Sequence, residues 1–193
     1  MTNLDLNQAL QDSARQRRQM AAAARLLADI PSRSEIEWDD LLAVPAWALS
    51  QADATLTIET LCVGAWAHLD PIRRCIDGRL IAHLAGLLGQ HEVDRILSSD
   101  RLRDEEGFAL ATLPDMLSGR DVAGLRQHLM FVGQWCLLLD MGRHRVRKAV
   151  AQALWPHVPH LQKDQPPAGL THTLSMAIMR ARLALPQTQA MAA

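Results

Sequence analysis

The stretch Val122–Met141, VAGLRQHLMFVGQWCLLLDM, decides the fold class. Leu125, Leu129, Phe131, Val132, Trp135, Cys136, Leu138 and Leu139 recur at helical spacing, and together they cover most of the circumference. Sustained period-two alternation is absent here. A helix that is apolar nearly all round belongs inside a core, with other helices packed around it. Gly119 and Asp121 mark a stop and a cap ahead of it, and Gly142 ends it.

Working outward, Thr55–Leu69 reads as a second mostly apolar helix through Leu56, Leu61, Val63 and Trp66. Asp70-Pro71 restarts the chain as a cap followed by a first-turn proline, and Gly78 is expected to end that short helix in the left-handed conformation. Arg79–Leu88 sets Leu80, Ile81, Leu84, Leu87 and Leu88 at core spacing before Gly89 closes it, and His91–Leu97 adds a further short helix. Ser98–Glu106 is a polar, largely acidic connection, and two short helical pieces surround Pro114. Arg143–Trp155 is helical until Pro156 and Pro159, Pro166-Pro167 form a linker, and Ala168–Leu185 is the last helix, stopped by Pro186. On the N-terminal side, Asp5–Ile30 reads as an Ala-rich helix stopped by Pro31. Ser34 with Glu37 then forms a capping box for short pieces that carry Trp38 and Trp47.

These elements predict an all-α fold, a compact single-domain irregular helical bundle of about eight to ten helices. The domain spans 1–193, with an N-terminal helical segment 1–50 packed on a core of 51–186 and a tail of 187–193. The composition agrees: of 193 residues, 49% are hydrophobic and 21% charged, and five Trp, two Phe and no Tyr leave few strand-forming aromatics. No apolar run approaches the ~20 residues of a membrane span. Met1–Gln11 is polar and lacks the pattern of a secretory signal, so a cytosolic protein without direct membrane insertion is expected. Cys62, Cys75 and Cys136 are odd in number, far apart and set among apolar neighbours, which predicts buried thiols rather than disulfides.

No catalytic, cofactor-binding or metal constellation emerges from the residues. His91-Glu92 begins like a zinc-protease helix, but Arg95 stands where the second histidine is needed. His157 and His160 lack a third ligand at a recognisable spacing. His68 and His83 fall beside apolar positions and read as core-edge histidines rather than bases. There is no nucleophile elbow, phosphate-cradling loop or CxxC. Nucleic-acid binding is disfavoured by 20 Lys+Arg against 21 Asp+Glu, a net charge of −1. Ala85 and Gly89 have the spacing of a helix-turn-helix bend, but the helix that follows would turn Glu92 and Asp94 toward the phosphates.

The order of residues from Leu61 to Leu97 resembles the SctK family of the type III secretion sorting platform, whose members include YscK and PscK. The resemblance runs through Val63-Gly64-Ala65, Ile72-Arg73-Arg74-Cys75-Ile76-Asp77-Gly78, Leu80, Leu84, Leu88-Gly89 and Ile96-Leu97. Trp38, Val132-Gly133 with Leu137-Leu138, and Arg182-Leu183-Ala184-Leu185-Pro186 extend it. It implies a largely helical, non-catalytic, cytosolic adaptor that takes no cofactor. Such an adaptor joins the cytoplasmic domain of the SctD-type inner-membrane ring protein to the SctQ-type platform protein, on which the ATPase assembly and its stalk rest. The candidate partner faces are the basic residues Arg143, Arg145, Arg147 and Lys148 and the acidic residues Asp104, Glu105 and Glu106. A helical secretion chaperone and a helix-turn-helix regulator are the alternatives.

Overall fold

A computed structural model describes residues 53–99, 122–141, 144–155 and 166–184, with positions 14, 17, 20, 21, 24, 28, 37, 158 and 161. Of the described residues 84% are helical and none lies in a strand, so the described part of the chain is all-α. The helices described in full are α1 (Asp53–Ala67), α2 (Leu69–Arg74), α3 (Gly78–Leu88), α4 (Gln90–Ser98), α5 (Val122–Asp140), α6 (His144–Leu154) and α7 (His172–Ala184). The chain divides into two compact units. One comprises Met1–Ala52 and Met141–Gln165, the other Asp53–Asp140 and Pro166–Ala193. The expected elements around Trp38, Trp47 and Pro114 lie outside the described residues, as do His157 and His160.

The second unit is built on the crossing of α1 and α5. Every residue from Thr60 to Leu69 is buried, and so is every residue from Val132 to Leu139, so both helices are sheathed on all sides over two turns. The crossing is closer than side chains normally allow. A Cβ at Gly64 would overlap the Leu129 carbonyl of α5, and one at Gly133 would overlap the Thr60 carbonyl of α1. Helix axes usually stay 8–10 Å apart because side chains hold them there; a glycine from each partner removes that spacer. Thr60 is fully buried at this point, and its hydroxyl donates to the Leu56 carbonyl, 2.6 Å away, so it brings no unpaired polar group into the contact. Trp66, Trp135, Leu129, Leu137 and Leu138 fill the surrounding core.

Helix α7 closes on α5 through backbone-directed bonds. The Ser175 hydroxyl donates to the Cys136 carbonyl, and His172 Nδ1 donates to the Leu139 carbonyl across 2.7 Å. Its start is fixed by Thr171, whose Oγ1 accepts from the Leu174 amide at 3.2 Å. That capping, preceded by a turn with Gly169 at φ 86°, places the helix start at His172 and not at Ala168.

Two more boundaries depart from the sequence reading for local reasons. Asp70 is not the cap of α2. His68 occupies that position, its side chain making no capping bond to the helix, while Asp70 pairs with Arg74 one turn on, at 3.3 Å. Gly78 does not end α2 either. The Asp77 carboxylate accepts from the Arg79 amide at 2.9 Å, which makes Asp77 the N-cap and Gly78 the first residue of α3. The left-handed glycine lies further along, at Gly89 (φ 87°), between α3 and α4. Cys62 and Cys136 are buried free thiols as expected, whereas Cys75, in the α2–α3 linker, is only half-buried. His68 is buried but His83 is exposed, because α3 turns Leu84 and Leu88 inward and His83 falls outside that stripe.

Within the other unit, α6 buries Ala149, Val150 and Ala151, with Trp155 and Leu161 buried beyond it. Past the helix end, the amides of Val158 and Leu161 donate to the carbonyls of Trp155 and Val158 (3.1 and 3.2 Å). Among the described residues no helix is long and apolar enough to cross a membrane.

Candidate functional site

Among the described residues of the second unit, the most concentrated chemistry is a chain of charges joining α1, α4 and α7. Glu92 shares the buried stripe of α4 with Val93 and Ile96, and only 8% of its surface is exposed. Desolvating a carboxylate is costly unless its oxygens are bonded. Here Oε1 accepts from the Trp66 indole N–H at 2.9 Å and from Arg182 Nε at 3.3 Å, and Oε2 accepts from Arg95 Nη1 at 2.5 Å. Arg182 reaches on to Glu59 Oε2 at 2.5 Å, and Arg95 Nη2 donates to the Arg182 carbonyl at 2.7 Å. The Arg95 guanidinium also lies 5.8 Å from the centre of the Trp66 ring, in cation–π range. Two carboxylates and two guanidinia balance, and the group is neutral.

Protonation follows from this geometry. Burial pushes the Glu92 pKa upward, but the Trp66 bond and the charges of Arg182 and Arg95 outweigh it and hold the carboxyl below its usual range. Arg182 is desolvated yet held charged, its pKa raised by the bond to Glu59 and by the surrounding negative groups. Cys62 lies beside the cluster, and burial, reinforced by Glu92, pushes its thiol up to about 12. Burial likewise pushes the Cys136 thiol up. Both are therefore held as unreactive thiols. Glu92 has its oxygens occupied and its charged form favoured, which suits it to holding arginines and not to taking up a proton.

A second polar contact lies between His68, at the α1–α2 corner, and His128 on α5. Their Nε2 atoms are 2.8 Å apart and their rings are tilted by 44°. One nitrogen must donate and the other accept, so the two rings cannot both be protonated in this arrangement. Burial lowers the His128 pKa and favours the neutral ring.

The sequence-predicted site residues fall elsewhere. Arg147 is half-buried and Lys148 exposed on α6; Arg145 lies on the same helix, its side chain outside the description. Arg143, Asp104, Glu105 and Glu106 lie outside the described residues. The carboxylates expected to face phosphates in a helix-turn-helix separate: Asp94 is exposed and accepts from Gln90 at 2.8 Å, while Glu92 points inward to Trp66 and the arginines. Sequence reasoning missed the Glu59–Arg182–Glu92–Arg95 chain. Its readable sign was a glutamate at a core position of an otherwise amphipathic helix, with an arginine one turn on. Among the described residues no three His, Cys, Asp or Glu side chains converge as a metal site would require. Compared with known proteins, the chain matches no protein-family model, no curated protein and no solved structure.

Proposed function

We propose that the chain is a non-catalytic adaptor of a bacterial type III secretion system, linking the SctD-type ring protein to the SctQ-type platform protein at the cytosolic face of the inner membrane. In this reading the whole chain forms one irregular bundle of about eight to ten helices. The observation that carries it is the use made of buried charge. Glu59, Arg182, Glu92 and Arg95 bond to one another and tie three helices together, a construction suited to a stiff spacer. The resemblance of residues Leu61–Leu97 to the SctK family supplies the biological setting.

The test is a pull-down with the tagged full chain from cells that carry the secretion apparatus. Recovery of the ring protein or the platform protein supports the adaptor. Recovery of one effector alone, with a dimeric mass in solution, favours a chaperone instead. Retardation of duplex DNA that falls steeply with salt identifies a regulator.

A further inference from the structure

Helix α7 belongs to a unit that the chain has already left once. The backbone departs that unit at Asp140, runs through the other unit as Met141–Gln165, and returns at Pro166. What holds α7 against α1, α4 and α5 is therefore non-covalent contact alone, made against the entropy of closing a long loop. That contact is poor in apolar area. Among its described residues α7 buries Leu174, Ser175, Ala177, Ile178 and Ala181, so only Leu174 and Ile178 bring large side chains to the core. Helix α5, by contrast, buries every residue from Val132 to Leu139. Polar bonds supply the rest of the hold on α7. Ser175 and His172 donate to the α5 carbonyls of Cys136 and Leu139, while Arg182 grips Glu59 and Glu92. Such bonds add little net hold, because the groups regain water when the helix leaves. Glu92 is not stranded by that departure, since Arg95 on the same helix and the Trp66 indole stay with it. The α1–α5 crossing is made without α7, at Gly64 and Gly133.

We infer that α7 is a detachable strap, which undocks from α1, α4 and α5 as one piece, with Arg182 as its latch, while the α1–α5 pair stays folded. Regions with few buried apolar contacts open at a lower cost than the whole fold, and α7 is built that way. Undocking uncovers Cys62, which is 4% exposed and sits in the field of Arg182, Glu92 and Glu59. The docked form is the stiff body described above, and the strap is its weakest joint. It does not depend on the adaptor reading.

Thiol labelling of the full chain tests this, with Cys75→Ser removing the half-buried thiol. Maleimide labelling of Cys62 is followed by peptide mass across a urea series below the global transition, and hydrogen exchange of α7 and α5 amides is measured alongside. Cys62 and the α7 amides should share one opening, whose urea slope is roughly half that of global unfolding or less, while the α5 amides exchange only with the global transition. Gly86→Ala, on α3, should slow the α5 amides roughly two- to fivefold and leave Cys62 labelling unchanged, because α3 is folded whether or not the strap is docked. Arg182→Gln should speed Cys62 labelling roughly tenfold or more. Labelling with the full global slope, labelling that slows together with the α5 amides in Gly86→Ala, or labelling while the α7 amides stay protected overturns the strap. Labelling that Arg182→Gln leaves unchanged overturns the latch. The slopes of the Arg182-containing chain decide the matter even where Arg182→Gln fails to fold.

Discussion

Helix α1 is held in two opposed ways. On the face that carries Thr60 and Gly64 it meets α5 with nothing between the backbones. Half a turn round, the face that carries Glu59, Cys62 and Trp66 meets α4 and α7 through charges and an indole N–H. The first contact depends on missing volume and is indifferent to pH. The second depends on ionised partners, each costly to desolvate and stable only while its neighbours remain. The steric contact therefore sets where the helices cross, and the ionic one sets which side chains are tolerated beside them.

The steric contact gives the largest expected effect. Gly64→Val or Gly133→Val drives atoms into a backbone carbonyl that cannot rotate away, so either change should cost about 4 kcal/mol or more and leave little folded protein. Loss of the cooperative urea transition reads this out. A folded variant with the parental midpoint would show that the helices do not cross at these glycines. On the ionic side, Glu92→Ala leaves Arg182, Arg95 and the Trp66 N–H without their shared acceptor, and should cost about 3 kcal/mol. Glu92→Gln keeps an acceptor for Trp66 and should cost less. Equal losses from the two variants would mean that the carboxylate charge contributes all of the effect.

Acid should separate the two contacts further. Glu92 is held below its ordinary pKa, so its contribution is complete above the unfolded value of about 4.5 and is lost as pH falls through the lower folded value. His128 is also lowered, by burial. Its neutral ring favours the folded state above 6.5, and that contribution fades as pH falls below 6.5 while the unfolded chain takes up the proton first. Stability measured by urea titration should therefore decline in two phases, His128 first and Glu92 later. His128→Gln should remove the upper phase and Glu92→Gln the lower one. A single phase untouched by either variant would contradict both assignments.

The contrast also explains what could be read from the sequence. The all-round apolar character of Leu129–Leu139 and Leu61–Leu69 made two central helices visible, because periodicity reports burial directly. Gly64 and Gly133 were visible as letters, but nothing in the spacing of one helix says that a glycine on another will face it. Gly78 was misplaced for a related reason. A glycine after an Asp can stop one helix or follow the cap of the next, and the outcome depended on the Asp77 carboxylate capturing the Arg79 amide. Glu92 entered the sequence reading only as a carboxylate that a helix-turn-helix would turn toward phosphates, because its partner Arg182 is 90 residues away, and only the fold brings them to 3.3 Å.

The smallest prediction uses a third glycine to check the steric argument from the other side. Gly86 lies on the exposed face of α3, and a Cβ built there meets nothing within 4 Å. Its φ is not in the left-handed region, unlike that of Gly89, so alanine fits its backbone without strain. Gly86→Ala should then stabilise the chain by about 0.5–1 kcal/mol, since it removes unfolded-state freedom from a helix interior. Gly64→Ala, the same chemical change in a helix of the same unit, should destabilise it. A shift of the urea midpoint in the same direction for both would mean that helix propensity, and not the closeness of α1 to α5, governs these positions.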